Sequence, residues 1–227
     1  DNSEVERVVT TGNHMAYLKI AEGCDKRCSY CIIPKIRGRF RSVPMQELLN
    51  EAKRLASEGV KELVLVAQET TLYGKDLTGE KQLPLLLHEL CKIEGIEWIR
   101  LLYCYPEEIT DELIKVIKTE EKVCNYIDMP IQHSENRILQ RMGRRTSRED
   151  LVAVIKKLRK EIPDITIRTT LITGFPGESQ EDHEGLMNFV EECQFDRLGV
   201  FTYSPEEDTL AATFEDQIDE EVKEERR

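Results

Sequence analysis

Cys24, Cys28 and Cys31 place three thiols within eight residues, in the run Glu22-Gly-Cys24-Asp-Lys-Arg-Cys28-Ser-Tyr30-Cys31. Three thiolates so spaced can wrap an iron–sulfur cube, and with no fourth cysteine nearby one iron keeps no protein ligand and stays open to a substrate. A structural zinc ion is the competing reading. Zinc normally takes four ligands in two spaced pairs, and this loop supplies three with no matching pair downstream. Disulfides fit less well, because seven cysteines in an acidic chain without an evident leader leave one unpaired. Cys91, Cys104, Cys124 and Cys193 stand singly in apolar contexts and read as core residues.

Other polar residues stand at the ends of β-rich runs. Glu69, closing Val66-Ala-Gln68-Glu69, could accept hydrogen bonds from an ammonium group, while Gln68 serves either polarity; both could equally be a strand end meeting water. In 166–172, Thr166, Arg168 and Thr170 share one face opposite Ile165, Ile167, Thr169 and Leu171. Arg168 could clamp a carboxylate bidentately or sit in a structural salt bridge. Gly174-Phe175-Pro-Gly177-Glu178 follows, and its glycines allow the backbone to approach a ligand closely. Gln132 ends Ile127-Asp128-Met-Pro-Ile-Gln132-His133 and could reach hydroxyls of a ribose or of a substrate. His133 beside it could be a ligand, a proton carrier or a structural residue.

Alternating units hold these residues in place. Apolar positions from Met45 to Ala56 recur at helical spacing and stop at Gly59, before the β-rich run 63–67. Helices are expected over 83–92, from a Thr110 cap to Lys118, and over 148–160 and 180–193, the last two opened by Ser147 with Asp150 and Ser179 with Asp182. Strands are expected over 16–20, 63–67, 98–103, 126–129, 165–172 and 197–203. Six strands separated by helices imply an α/β fold with parallel pairing, a partly open (β/α)6 TIM-like barrel with its chemistry at the strands' carboxyl ends. Residues 1–15 read as a linker, 16–212 as the barrel and 213–227 as a charged connector or exposed helix, as in the middle piece of a longer protein.

The spacing Cys-x3-Cys-x2-Cys with an aromatic before the last cysteine resembles the signature of the radical S-adenosylmethionine superfamily. The resemblance implies one 4Fe-4S cluster on Cys24, Cys28 and Cys31. Its open iron would chelate the amino and carboxylate groups of S-adenosylmethionine, and an electron from the reduced cluster would give methionine and a 5′-deoxyadenosyl radical. It implies Tyr30 against the adenine, although tyrosine also commonly packs its ring under a loop. Ala67-Gln68-Glu69 stands where the family has Gly-Gly-Glu. Glu-Gly-Cys-x3-Cys-x2-Cys, Met-Pro-Ile-Gln-His, Arg-Ile-Leu-x-x-Met and Gly-Phe-Pro-Gly-Glu together resemble methylthiotransferases from Ala16 to Thr209, where the last element contacts adenine. Met129-Pro-Ile-Gln-His133, Ile32-Ile-Pro34 and Val200-Phe-Thr-Tyr-Ser-Pro-Glu-Glu207 look like the branch that modifies the β-carbon of an aspartate on the twelfth small-subunit ribosomal protein. The branch acting on a tRNA adenosine is the alternative, and a non-catalytic module with zinc on the three cysteines and His133 is a second.

A formal net charge of −12 repels phosphate backbones, so direct RNA binding is not expected and a basic ribosomal protein is the better-matched partner. Two basic clusters run against that balance, one around the cysteines and one holding Arg137, Arg141, Arg144, Arg145 and Arg148. They could be a nucleic-acid patch or solvated faces. No run is apolar enough for a membrane, and a cytoplasmic protein is expected. The resemblance further implies an electron donor such as flavodoxin or ferredoxin, a second cluster in an amino-terminal domain and a carboxyl-terminal β-domain, both absent from the chain as given. This chain alone is therefore expected to cleave S-adenosylmethionine but to methylthiolate poorly; full methylthiolation of the ribosomal protein in a matched assay would contradict that.

Overall fold

The computed structural model describes Gly12 and residues 14–227, so most of the linker expected over 1–15 lies outside the described residues. In chain order the strands are β1 Met15–Lys19, β2 Ala21–Glu22, β3 Arg41–Ser42, β4 Glu62–Val66, β5 Trp98–Leu101, β6 Val123–Asp128, β7 Thr166–Thr173 and β8 Arg197–Thr202. The helices are α1 Ile33–Arg37, α2 Met45–Ser57, α3 Lys75–Thr78, α4 Leu83–Cys91, α5 Asp111–Thr119, α6 Asn136–Arg141, α7 Arg148–Glu161, α8 Gln180–Cys193 and α9 Glu220–Arg226. Six strands form one sheet in the order β1-β4-β5-β6-β7-β8, and every pairing in it is parallel. Each strand thus lies beside the next large strand of the chain, as the alternation predicts. All six carboxyl ends therefore meet at one rim.

Burial alternates along the strands. In β7, Ile167, Thr169, Leu171 and Thr173 are buried, while Thr166, Arg168, Thr170 and Ile172 occupy the other, half-exposed face. The buried faces of the sheet, with Leu63, Leu65, Ile99, Leu101 and Ile127, share one core with Leu55, Leu86, Leu90, Ile117, Leu158 and Phe189 of the helices. Each such side chain contributes about 1.5–3 kcal/mol. Helix starts follow the expected chemistry: Thr110 accepts from the Leu113 amide, and Ser147 and Ser179 both close capping boxes.

Three local features differ from the sequence reading. β6 begins at Val123, earlier than expected, and its register against β5 shifts between Ile99 and Leu101. β2 and β3 form a short antiparallel ribbon that brackets the cysteine loop and α1. The charged end does contain a helix, but Lys223 is only 2% exposed and Arg226 Nη1 donates to the buried Glu178 Oε1 at 2.9 Å. Glu178 holds Arg226 inward, and Lys223 packs over the Tyr203 ring while pairing with Glu220, where an exposed helix was expected. Among the described residues no helix is long and apolar enough to cross a membrane.

Ser147→Ala removes the hydroxyl that accepts from the Asp150 amide at 3.1 Å. It is expected to cost about 1 kcal/mol, seen as a lower urea midpoint at unchanged slope.

Candidate functional site

The cysteine loop leaves the carboxyl end of β1 through β2 and is pinned from several sides. Gly23 has φ +82°, and a Cβ there would lie 2.2 Å from the Arg39 carbonyl oxygen. Its amide donates to Gln68 Oε1 at 2.6 Å, tying the loop to the end of β4. The Cys24 amide donates to Gly38 O at 3.2 Å, and the Ser29 amide donates to Met142 O at 2.9 Å. Ser29 Oγ adds a bond to Arg141 O at 2.8 Å. Cys24 and Cys28 are buried, Cys31 is half-buried, and none is in a disulfide. Burial, helped by Glu69 and the other two thiols, pushes the Cys24 thiol up to about 11, and burial with Cys28 raises that of Cys31. The three sulfurs thus feel one another.

Glu69 is fully buried. Thr71 Oγ1 donates to its Oε1, Oε2 has no hydrogen-bond partner, and Lys26 Nζ stands 3.9 Å away. Burial outweighs the Thr71 and Lys26 contacts and raises this carboxyl to about 7. An orphaned buried carboxylate oxygen beside the thiols is what an ammonium ligand would satisfy. Gln68 is committed differently: its carbonyl holds Gly23, leaving only its amide nitrogen of the two polarities expected.

Tyr30 packs, half-buried, on the cluster of Ile138, Met142, Phe175 and Tyr203. Phe175 turns its ring inward. Its ring is fully buried and edge-on to Tyr203 at 5.3 Å and Phe214 at 6.3 Å, so it supports the turn from below and only its backbone can face a ligand. Gly174 has φ +70°, its Cβ would lie 2.4 Å from Lys223 Cγ, and its amide donates to Glu178 Oε2 at 3.0 Å. Gln132 extends the sheet beside β7: its amide donates to Thr170 O at 2.9 Å and its carbonyl accepts from the Ile172 amide at 2.8 Å. The structure therefore brings Gln132 and Thr170 together. Arg168 lies lower on the same face of β7, its side chain 46% exposed, with Asp128 Oδ1 3.8 Å from its Nε. Asp128 Oδ1 has no hydrogen-bond partner.

His133 overturns the zinc arrangement that enlists it. It is fully buried, its Nε2 lies 3.3 Å from Glu178 Oε2, and its Nδ1 accepts from the Glu135 amide at 3.0 Å, so both ring nitrogens are engaged away from the cysteines. Nor do three His, Cys, Asp or Glu side chains converge on a point for one metal ion anywhere among the described residues. Two residues of the site carried no distinct signal in the sequence, Tyr105 and Arg144. Tyr105 Oη lies 3.5 Å from Cys28 Sγ, and the buried Arg144 guanidinium lies 4.3 Å from the Tyr105 ring centre. A tyrosine just past the end of β5 was the only clue.

Residues 18–190 match the sequence profile of the Radical SAM superfamily. The chain belongs to the radical SAM superfamily. Similar curated proteins include two ribosomal protein uS12 methylthiotransferases RimO. The one from Lachnoclostridium phytofermentans is 66% identical over 97% of this chain and 51% of its own length. The one from Clostridium perfringens is 60% identical over 97% of this chain and 49% of its own. The chain thus spans about half the length of the curated relatives it matches. Among solved structures, Escherichia coli coproporphyrinogen III oxidase (HemN), titled a radical SAM enzyme, superposes with TM-score 0.71 at 20% identity, over 94% of this chain and 50% of its own. The radical S-adenosylmethionine methyltransferase TsrM from Kitasatospora setae, solved with cobalamin and a [4Fe-4S] cluster, gives 0.69 at 18% identity, over 84% and 38%. These likenesses show the fold.

Membership of the radical SAM superfamily implies a cluster and S-adenosylmethionine, and the residues present fit both. Ligands of one tetrahedral zinc crowd to roughly 3.8 Å apart, whereas a cube needs thiolates spread wider around a shared centre. Cys24, Cys28 and Cys31 are free thiols on one short loop, and among the described residues they form no site for a single metal ion. Glu69 Oε2 offers the acceptor an amino group needs.

Glu69 gives a pH test on the ligand-free chain. Its folded carboxyl holds a proton up to about pH 7, while the ordinary value is 4.5, so the folded state binds the extra proton between them. Stability is then expected to fall by about 3 kcal/mol as pH rises through that window. Urea midpoints at about pH 5 and about pH 8 should show this slope, and Glu69→Gln should flatten it.

Proposed function

We propose that this chain is the catalytic core of a methylthiotransferase that reductively cleaves S-adenosylmethionine and modifies an aspartate β-carbon on ribosomal protein uS12. The observation carrying the reading is the meeting of Cys24, Cys28 and Cys31 with the orphaned Glu69 carboxylate at the rim of a parallel sheet. The identity of 66% to a protein named for that activity supports the substrate.

In this reading Cys24, Cys28 and Cys31 hold the cluster, which when bound supplies the electron for cleaving the sulfonium. Glu69 accepts from the amino group of S-adenosylmethionine and so selects an amino acid with a free ammonium. Arg168, on the sheet face below the rim, provides a cation for a carboxylate. Tyr30, the Gly174 turn and Gln132 offer an aromatic face, close backbone and an amide for a nucleoside. Burial of Cys24, Cys28 and Glu69 limits the access of bulk water to this side of the loop, where Cys31 stays half-exposed. An electron donor such as flavodoxin or ferredoxin would complete the system, and a ribosomal substrate places the reaction in the cytoplasm. The full-length protein would carry the second cluster.

Charge pairing favours a protein substrate over tRNA. Within the arginine cluster, Arg141 pairs with Asp216 at 2.6 Å, Arg148 with Glu135 at 2.5 Å and Arg137 with Asp182. These three arginines already face carboxylates of the domain, which lowers what they offer to phosphates.

Anaerobic reconstitution with iron and sulfide is expected to load about four irons, with an electron paramagnetic resonance signal of the reduced protein altered by S-adenosylmethionine. Cys28→Ala should lose most of the iron. Bound zinc, or a signal indifferent to S-adenosylmethionine, would overturn the reading.

A further inference from the structure

Arg144 is a buried cation, 7% exposed, with no carboxylate within ion-pair distance among the described residues. Its Nη2 donates to Pro130 O at 3.0 Å, and its buried Nε has no hydrogen-bond partner. Its guanidinium lies over the Tyr105 ring at 4.3 Å, and Lys26 Nζ stands 4.8 Å from the same ring centre. Tyr105 Oη in turn lies 3.5 Å from Cys28 Sγ, within reach for an O–H···S bond. The Tyr105 amide donates to Thr71 Oγ1 at 3.2 Å, which holds the ring between the loop and the arginine.

An uncompensated buried charge is costly, so a fold that retains one needs an anion to face it. The polypeptide offers Arg144 only Glu107, which acts on it from beyond ion-pair distance and is itself paired with Lys26 at 3.1 Å, whereas a cluster on three thiolates is anionic and gains one further negative charge when it takes an electron. A nearby cation and a hydrogen bond to a ligating sulfur both favour the electron-richer state. We propose that Tyr105 and Arg144 raise the reduction potential of the cluster on the cysteine loop, Tyr105 by donating to the Cys28 sulfur and Arg144 as the cation behind it. This rests on the cluster assignment above. Neither residue touches S-adenosylmethionine in this scheme. Both act through the sulfur, and the electron itself comes from an external reductant.

The test is a dithionite titration of the reconstituted protein followed by electron paramagnetic resonance, with wild type, Tyr105→Phe, Arg144→Gln and Arg144→Lys side by side and iron counted in each. Tyr105→Phe keeps the ring and removes only the hydroxyl. At a fixed potential it is expected to lower the ratio of reduced to oxidised cluster about tenfold, a midpoint drop of ~59 mV for one electron. Arg144→Gln should shift the same way, and Arg144→Lys, which keeps the charge, should recover most of the loss. A purely structural role would lower iron content without moving the midpoint of the clusters that remain. Iron-loaded Tyr105→Phe with the wild-type midpoint overturns the inference, whether or not Arg144→Gln folds. A wild type that loads no cluster instead overturns the functional reading beneath it.

Discussion

Gly23 packs against the Arg39 carbonyl with no room for a side chain, and the course of the cysteine loop depends on it. A Cβ there would sit 2.2 Å from that oxygen. The approach lets the Gly23 amide reach Gln68, two residues past the end of the neighbouring β4, and so couples the loop to the segment that leaves the sheet. Parallel pairing is the precondition. Lys19 of β1 lies opposite Val66 of β4, so the residues that follow each strand emerge side by side. An antiparallel partner would have sent the corresponding segment to the opposite rim.

The second theme is ionisable chemistry withdrawn from water. Glu69 and Glu178 are buried carboxylates with opposite treatments. Glu178 receives the Gly174 amide, Arg226 and a histidine, and these partners hold it below the ordinary carboxylate value despite its burial. Glu69 keeps one oxygen unmatched and is pushed the other way. A fold that can satisfy one buried carboxylate so fully has the means to satisfy the other. The Glu69 oxygen without a hydrogen bond, 3.9 Å from the Lys26 ammonium, is the one the proposed function gives to a ligand.

Much of this was legible in the chain and some was not, for reasons of range. The thiol spacing, the serine caps of α7 and α8 and the two-residue period of β7 are local patterns, and local patterns are what a sequence displays. The contacts that build the site join residues far apart in the chain, Gly23 to Gln68 and Ser29 to Arg141 among them. Nothing at either partner announces the other. The inward packing of the Phe175 ring against Tyr203 was not legible, because the two residues lie far apart in the chain. His133 was left open because a histidine at a strand end looks alike whether it faces a metal or a buried glutamate. Arg144 was counted with surface arginines, since composition cannot tell a solvated cation from an enclosed one.

The inward-turned end of α9 couples two parts of the molecule. Lys223 lies against Gly174, and Arg226 grips Glu178 on the same turn, so the seating of the helix and the shape of the turn are one equilibrium. Any ligand that prefers the turn as it stands must tighten the helix, and any force that unseats the helix must weaken that ligand by the same factor. The helix α9 is thereby coupled to the rim at two points, the Lys223 stem on Gly174 and the Arg226 guanidinium on Glu178.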